Sequence, residues 1–314
     1  MTRTTGAPEI LGKRELATLD ALATEAARPD LDDLDCLPTA EIVRILVESQ
    51  ASALAAAKAA VPQLAAAADV VATQLAKGGR LFYVGAGTSG RLAVLDAAEC
   101  PPTFGSSPDT VVALMAGGET ANTRAIEGAE DDPDAGAGAL RAQGLTADDV
   151  VVGIAASGRT AYVIGALRYA RDIGVPTVAI VNNAGSPVAG VAEQAVELLT
   201  GPEVIAGSTR LSAGTAQKIA LSTLSTAVMV RLGKTYGPYM IDMHASNLKL
   251  RRRALRMIQL ITNADEDTAL RTLNEADGNL KTAVVALLVN CSITEAKRRL
   301  ERAGDRVRGA VAAS

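Results

Sequence analysis

Tryptophan is absent from this 314-residue chain, and aromatic residues make up only 2% of it. A core so poor in rings must be filled by Ala, Val, Leu and Ile, which suits closely packed helices on a buried sheet. Cysteine occurs three times, at Cys36, Cys100 and Cys291. The number is odd, the spacing is wide, and no zinc pattern exists; a reduced, cytoplasmic setting fits best. No charge dominates, since 31 Lys+Arg stand against 35 Asp+Glu for a net of −4. That balance leaves no electrostatic footprint for nucleic acid or for an anionic membrane. The opening MTRTTGAPEILGKRELATLD lacks the apolar stretch of a signal peptide. The Ala-rich run 51–76 is broken by Lys58, Gln63 and Asp69, so it is not read as a membrane span.

What is present is an alternation of patterns. Residues 1–38 are polar and dotted with proline, and read as an extended arm. Residues 39–77 have helical periodicity, with Thr39 as a cap, Glu41 in the first turn and Pro62 beginning or kinking a second helix. Then β-branched runs at 81–84, 110–115, 150–154, 177–181 and 196–199 alternate with helical stretches at about 89–98, 120–129, 160–173, 187–192 and 214–232. The strands are continuously apolar, as in a parallel sheet covered on both faces. The alternation predicts an α/β fold, a doubly wound parallel sheet with ligands bound beyond the carboxyl ends of the strands. After Tyr239 come a basic helix (246–263) and three short helices near 266–276, 280–289 and 294–303, with Ser292 and Glu295 at capping-box spacing. The basic run is followed at once by Asp265, Glu266 and Asp267, so it reads as a solvated face.

Two turns carry the chemistry. Gly85-Ala86-Gly87-Thr88-Ser89-Gly90 matches G-x-G-x-x-G, a weak dinucleotide signal when it stands alone. The acidic residue expected about twenty residues on is missing; Glu119 comes too late. A second turn, Ala155-Ala156-Ser157-Gly158-Arg159-Thr160, repeats the Ser-Gly-Arg of the first, again between strand and helix. Each offers backbone N–H groups at a helix start plus hydroxyls, a combination that holds phosphate. A third loop, Gly207-Ser208-Thr209-Arg210, adds donors. Ser and Thr cap helices everywhere; the repetition at matching positions favours a small phosphorylated ligand over mere caps. The candidate ligand residues are Thr88, Ser89, Gly90, Ser157, Gly158, Arg159, Thr160, Ser208 and Thr209.

Carboxylates supply the candidate acid/base groups. Glu99, closing the helix before Cys100-Pro101-Pro102, opposes the helix dipole there. A local misfit of that kind points to function. Glu127 and Glu130, near the end of the 120–129 helix, read on their own as a solvated acidic helix end. Cys100 has no histidine near it in sequence to activate it. Ten residues of helix from Ser89 to Glu99 span about 15 Å. That is too far for one phosphosugar, so either Glu99 loops back or it serves a site built with another subunit, and the second is favoured.

The two turns together resemble the sugar isomerase (SIS) phosphosugar-binding domain. The blocks GAGTSGRL…DAAECPPTFG at 85–105, AIEGAED at 125–131, VVVGIAASGRTAYVIGAL at 150–167 and GSTRLSAGTAQK at 207–218 resemble the N-acetylmuramic acid 6-phosphate etherase family, over about residues 40–305. The resemblance implies an SIS-type sheet at 57–238, an N-terminal arm and helix at 1–56, and a C-terminal helical region at 239–314 with a UBA-like three-helix module. It implies cleavage of the D-lactyl ether of a phosphorylated amino sugar, giving N-acetylglucosamine 6-phosphate and D-lactate, with no metal or redox cofactor. In the ring-opened aldehyde a base removes the hydrogen on carbon 2, lactate leaves carbon 3, and water adds. The family's active-site pair corresponds to Glu99 and Glu130, which overturns the solvated reading of Glu130. A homodimer in the cytoplasm is expected.

The chain departs from the family pattern at Ser212, where lysine is common, and at Ser246-Asn247-Leu248-Lys249, which matches T-N-x-K-L only in part. Two other readings compete. A non-catalytic sugar-phosphate sensor would resemble the glucokinase regulatory protein, but this chain has room for one SIS domain and keeps both glutamates. A phosphosugar isomerase needs a base near carbon 2, but has no use for the second carboxylate block.

Overall fold

Five short apolar runs form one parallel sheet in the computed structural model, which describes residues 22–243 and 248–312. Two single 3-10 turns, Pro29–Leu31 and Leu34–Cys36, lead into helices α1 (Thr39–Ser49), α2 (Ala51–Ala59) and α3 (Val61–Ala76). Next come β1 (Leu81–Gly85), α4 (Gly87–Phe104) and β2 (Val111–Met115). A 3-10 turn (Glu119–Asn122) and a loop precede α5 (Pro133–Ala142), β3 (Val150–Ala155), α6 (Ala161–Asp172), β4 (Thr177–Val181), α7 (Pro187–Val191), β5 (Gln194–Glu197) and α8 (Ser212–Arg231). The hairpin β6 (Thr235–Tyr236) and β7 (Tyr239–Met240) is followed by α9 (Leu248–Thr262), α10 (Glu266–Glu275), α11 (Leu280–Val289), α12 (Ile293–Arg302) and α13 (Val307–Ala312).

The strand order is β2-β1-β3-β4-β5. In register, Gly85 of β1 lies beside Met115 of β2 and Ile154 of β3. Alternate residues of each strand enter opposite cores. Tyr83, Val152, Ile154 and Ile180 pack with α3, α4 and α8. Phe82, Val84, Val151 and Val181 pack with α6 and α7. This double burial explains why the strands read as unbroken apolar runs. Because α4 covers one face and α6 the other, the order reverses between β1 and β3, the switch point where such sheets bind ligands.

The structure corrects several expectations. No helix spans 120–129. Gly117, Gly118 and Gly128 all take positive φ, and the Arg91 guanidinium bonds the carbonyls of Asn122 and Arg124, which a helix would have used internally. The helix comes later as α5, begun by Pro133 and capped by the Asp132 carboxylate on the Ala135 N–H at 3.0 Å. Glu127 and Glu130 therefore stand on a loop. The helix expected at 89–98 runs on through Pro101 and Pro102 and stops at Gly105, which has φ +61. Two prolines in the last turn cost backbone bonds without ending it; the left-handed glycine does that. Glu99 thus lies more than one turn from the helix end, beyond the reach of the dipole, and the misfit argument for it falls away. Thr39 is the first helical residue, with Pro38 in the cap position. Strand β5 begins two residues earlier than expected, at Gln194. Ser292 caps α12 as expected, but the Glu295 carboxylate pairs with Arg298 and Arg299.

Pro62 does begin a helix, in the first turn of α3. Of the expected arm, residues 1–21 lie outside the described residues, as do His244, Ser246 and Asn247. Among the described residues no single helix is long and apolar enough to cross a membrane. The helices after β7 surround their own apolar core, with Ile258, Leu273, Leu280, Val284 and Leu300 inside it. Lys281 is buried there against Asp305 at 2.6 Å and Asp242 at 3.0 Å. This region meets the end of α4 at Gly105, where an added Cβ would lie 2.0 Å from the Asp242 carbonyl.

Candidate active site

The two hydroxyl-rich turns leave neighbouring strands at the switch point, so the fold brings them together. Gly85 and Gly90 close the first turn: a Cβ on Gly85 would lie 2.9 Å from the Gly90 nitrogen. Thr88 is half-buried at the start of α4. Ser89 is buried, and its hydroxyl donates to Gln217 Oε1 at 2.8 Å. Gln217 Nε2 in turn donates to Asn182 Oδ1 at 2.9 Å, and Asn182 Nδ2 to the Leu198 carbonyl at 2.9 Å. Ser89 therefore ties the first turn to α8 and the end of β4, and its proton is engaged inside the protein.

The second turn is shaped by Gly158. Its φ is +69, and a Cβ there would lie 2.2 Å from Ser186 Oγ, so only glycine fits. The Gly158 carbonyl accepts from Val188 N at 2.9 Å, which locks the turn to the start of α7. Ser157 Oγ accepts from Arg159 N at 3.2 Å. Thr160 occupies the cap position of α6 but makes no side-chain cap bond. Its hydroxyl is not spent on the helix, as a plain cap would be.

The third loop differs from the other two. The first N–H groups of α8, from Ser212 and Ala213, donate to the buried Glu203 carboxylate at 2.9 and 2.8 Å. A protein carboxylate already fills that anion position, which leaves the loop its half-buried Ser208 and Thr209 side chains. Ser212 itself is buried at the head of α8. The arm also reaches this region: Asn183 Nδ2 donates to Thr24 Oγ1 at 2.9 Å and to the Ala156 carbonyl at 3.1 Å. Asn182, Asn183 and Thr24 carry no motif, and Gln217 lies in the 207–218 block without being singled out there; only their partners reveal them.

Glu130 reaches the site through helix packing. Helices α5 and α6 touch backbone to backbone, since a Cβ on Gly136 would lie 1.9 Å from the Tyr162 carbonyl and one on Gly165 1.9 Å from that of Pro133. That contact sets the loop before α5 against the start of α6. Glu127 and Glu130 are exposed there and line a cavity of about 220 Å³ with Ala86, Gly87, Arg91 and Met115, at the ends of β1 and β2.

Glu99 lines a different cavity, of about 290 Å³, with Leu92, Leu95, Asp96, Lys218, Leu221 and Ser222 on the α4–α8 face. Within one chain the two glutamates do not meet. Beneath Glu99, the Asp96 carboxylate accepts from Tyr83 Oη at 3.0 Å and Ser225 Oγ at 3.1 Å. Burial pushes its pKa up, while the Ser225 and Tyr83 hydroxyls and the Lys218 ammonium pull it back. Burial, with the Asp96 and Glu99 carboxylates, pushes the Cys100 thiol up to about 12. It stays protonated at neutral pH and does not serve as a nucleophile.

Comparison with known proteins gives the family and the fold. Residues 63–171 match the glucokinase regulatory protein N-terminal SIS domain, and residues 135–227 the SIS domain. An N-acetylmuramic acid 6-phosphate etherase of Streptomyces avermitilis is 51% identical over 298 residues, 95% of this chain and 96% of that protein. One of Deinococcus radiodurans is 51% identical over 289 residues, covering 92% and 95%. One of Geobacillus thermodenitrificans is 48% identical over 293 residues, covering 93% and 99%. A Bacteroides fragilis structure described as a phosphosugar isomerase involved in capsule formation shares the fold, with a TM-score of 0.50 at 21% identity, over 66% of this chain and 98% of that one.

Proposed function

The chain belongs to the N-acetylmuramic acid 6-phosphate etherase family, and from that premise we infer how its site acts. It cleaves the D-lactyl ether of N-acetylmuramic acid 6-phosphate, yielding N-acetylglucosamine 6-phosphate and D-lactate, in the recycling of cell-wall amino sugars. The observation that carries this reading is the identity of about one half to the etherases, sustained along nearly the whole of both chains.

The 6-phosphate is assigned to the switch point. The turn Ser157-Gly158-Arg159-Thr160 supplies the larger share of the donors, with the Thr160 hydroxyl, unused as a helix cap, among them. Thr88 and Gly90 face it from the first turn, which Ser89 anchors. Ser208 and Thr209 add side-chain donors. Glu99 and Glu130 form the acid/base pair. One takes the carbon-2 proton of the open-chain aldehyde, and the lactate oxygen is protonated as the bond to carbon 3 breaks. Water then adds to the unsaturated aldehyde, so the net change is one water consumed.

The separation of the two glutamates supports a homodimer in which the partner subunit's Glu99 completes the site around Glu130. Helix α4 runs unbroken between the first turn and Glu99, so Glu99 does not loop back to its own turn. A cytoplasmic location belongs to the same proposal and rests on three free thiols. So does the division into arm, SIS domain and UBA-like C-terminal region, supported by the separate C-terminal core. The test is D-lactate release by the purified protein from N-acetylmuramic acid 6-phosphate; no lactate at high enzyme concentration would sink the reading.

A further inference from the structure

The substrate differs from its sugar product by more than an ether bond: the lactyl group ends in a carboxylate, two bonds from the ether oxygen. Whatever acts on that oxygen must do so beside a negative charge. The cavity that holds Glu99 also holds Asp96, so two acidic side chains already face the place where a third would arrive. An anion enters such a site only if a cation meets it. One lysine lines the cavity, Lys218 of α8. Its ammonium donates to Ser222 Oγ at 3.3 Å, one helical turn on, which keeps it along the cavity wall. Tyr83 and Ser225 already bond both oxygens of Asp96, while the Lys218 ammonium acts on that carboxylate through its charge rather than by a hydrogen bond. Leu92, Leu95 and Leu221 complete the wall, an apolar surface suited to the methyl group of a lactyl unit.

We propose that Lys218 binds the lactyl carboxylate of the substrate and sets the preference of the site for an acidic ether. The proposal rests on the etherase reading given above and on the assignment of Glu99 to the ether end. Because Lys218 and Glu99 share one cavity on one chain, they reach the substrate together, whichever subunit supplies the phosphate turns. Release follows from the same contact: once the ether is broken, the carboxylate leaves with lactate and the sugar phosphate keeps no hold on Lys218.

The experiment compares N-acetylmuramic acid 6-phosphate with its lactamide, in which a neutral amide replaces the carboxylate, on the wild type and on Lys218→Met. Lactate or lactamide release by the wild type first establishes the reaction; its failure sinks the etherase reading itself. Given that reaction, the wild type should favour the acid over the amide by roughly 10- to 100-fold in kcat/KM, the worth of one charge-assisted contact. In Lys218→Met this preference should collapse towards unity, with binding of N-acetylglucosamine 6-phosphate unchanged. Lys218→Arg should restore part of it and serves if the Met variant does not fold. An acid-to-amide preference that survives in Lys218→Met, or an equal loss of N-acetylglucosamine 6-phosphate binding, overturns the proposal.

Discussion

The backbone N–H of Tyr162 donates to the carbonyl of Glu130 at 3.0 Å. This bond ties a proposed catalytic carboxylate to the first turn of the helix that follows the Ser157–Thr160 turn. A helix would ordinarily leave that N–H to a cap or to water; here it fixes a loop. Glu130 and the Ser157–Thr160 turn are thus built as one unit.

Glu99→Gln and Glu130→Gln should each lower lactate release by about 10²- to 10⁴-fold, the usual worth of a positioned acid or base. Both side chains are exposed, so thermal unfolding should stay within about 0.5 kcal/mol of wild type. A near-normal rate for either variant removes that residue from the chemistry.

Mixing Glu99→Gln protein with a Ser157→Ala, Thr160→Ala double variant tests whether the site is shared. If the partner subunit's Glu99 completes each site, random reassortment should restore about a quarter of wild-type activity, because half the dimers carry one intact site. A mixture as inactive as its components places both groups in one chain.

Gly158→Ala should destabilise the protein by about 2–4 kcal/mol, from left-handed strain plus the clash with Ser186, and raise KM. Adding Ser186→Gly removes the clash but not the strain, so stability should return only in part. Differential scanning calorimetry of the single and double variants separates the two contributions.

Asp149 governs an acid-sensitive contact. Burial pushes its pKa up, but the Arg80 guanidinium at 2.8 Å and the N–H groups of Thr146 and Arg80 hold it below its ordinary value of 3.8. A lowered folded pKa contributes stability above 3.8, lost as pH falls through the lowered value. Asp149→Asn should therefore cost about 1–3 kcal/mol at pH 7. The gap to wild type should narrow as pH drops below 4, as read by urea titration at each pH.

Much of the site was legible because its signals are local. Four strands, the two Ser-Gly-Arg turns and the capped C-terminal helices follow from residue patterns a few positions long. Glu99 was reached through a dipole misfit that the structure removes, and through the E-C-P-P block. Glu130 was reached through resemblance alone, and its loop was misread as helix. Its three left-handed glycines were visible, but the Arg91 contacts that hold it open join residues some thirty positions apart. The Ser89–Gln217–Asn182 chain was hidden for the same reason, as was the Glu203 carboxylate that fills the anion position at the head of α8.

By itself the sequence determined the kind of fold, through apolar runs alternating with helical periods, and the kind of ligand, through two turns that repeat one chemistry. Only the tertiary structure decided how those parts relate. Helix α4 runs unbroken and packs on α8, so Glu99 opens beside Lys218 and away from Glu130. The α5–α6 glycine contact carries Glu130 to the start of α6. The physical reason is range: turn chemistry and hydrophobic period act over a few residues, whereas the distance between two carboxylates is fixed by which helix faces pack together.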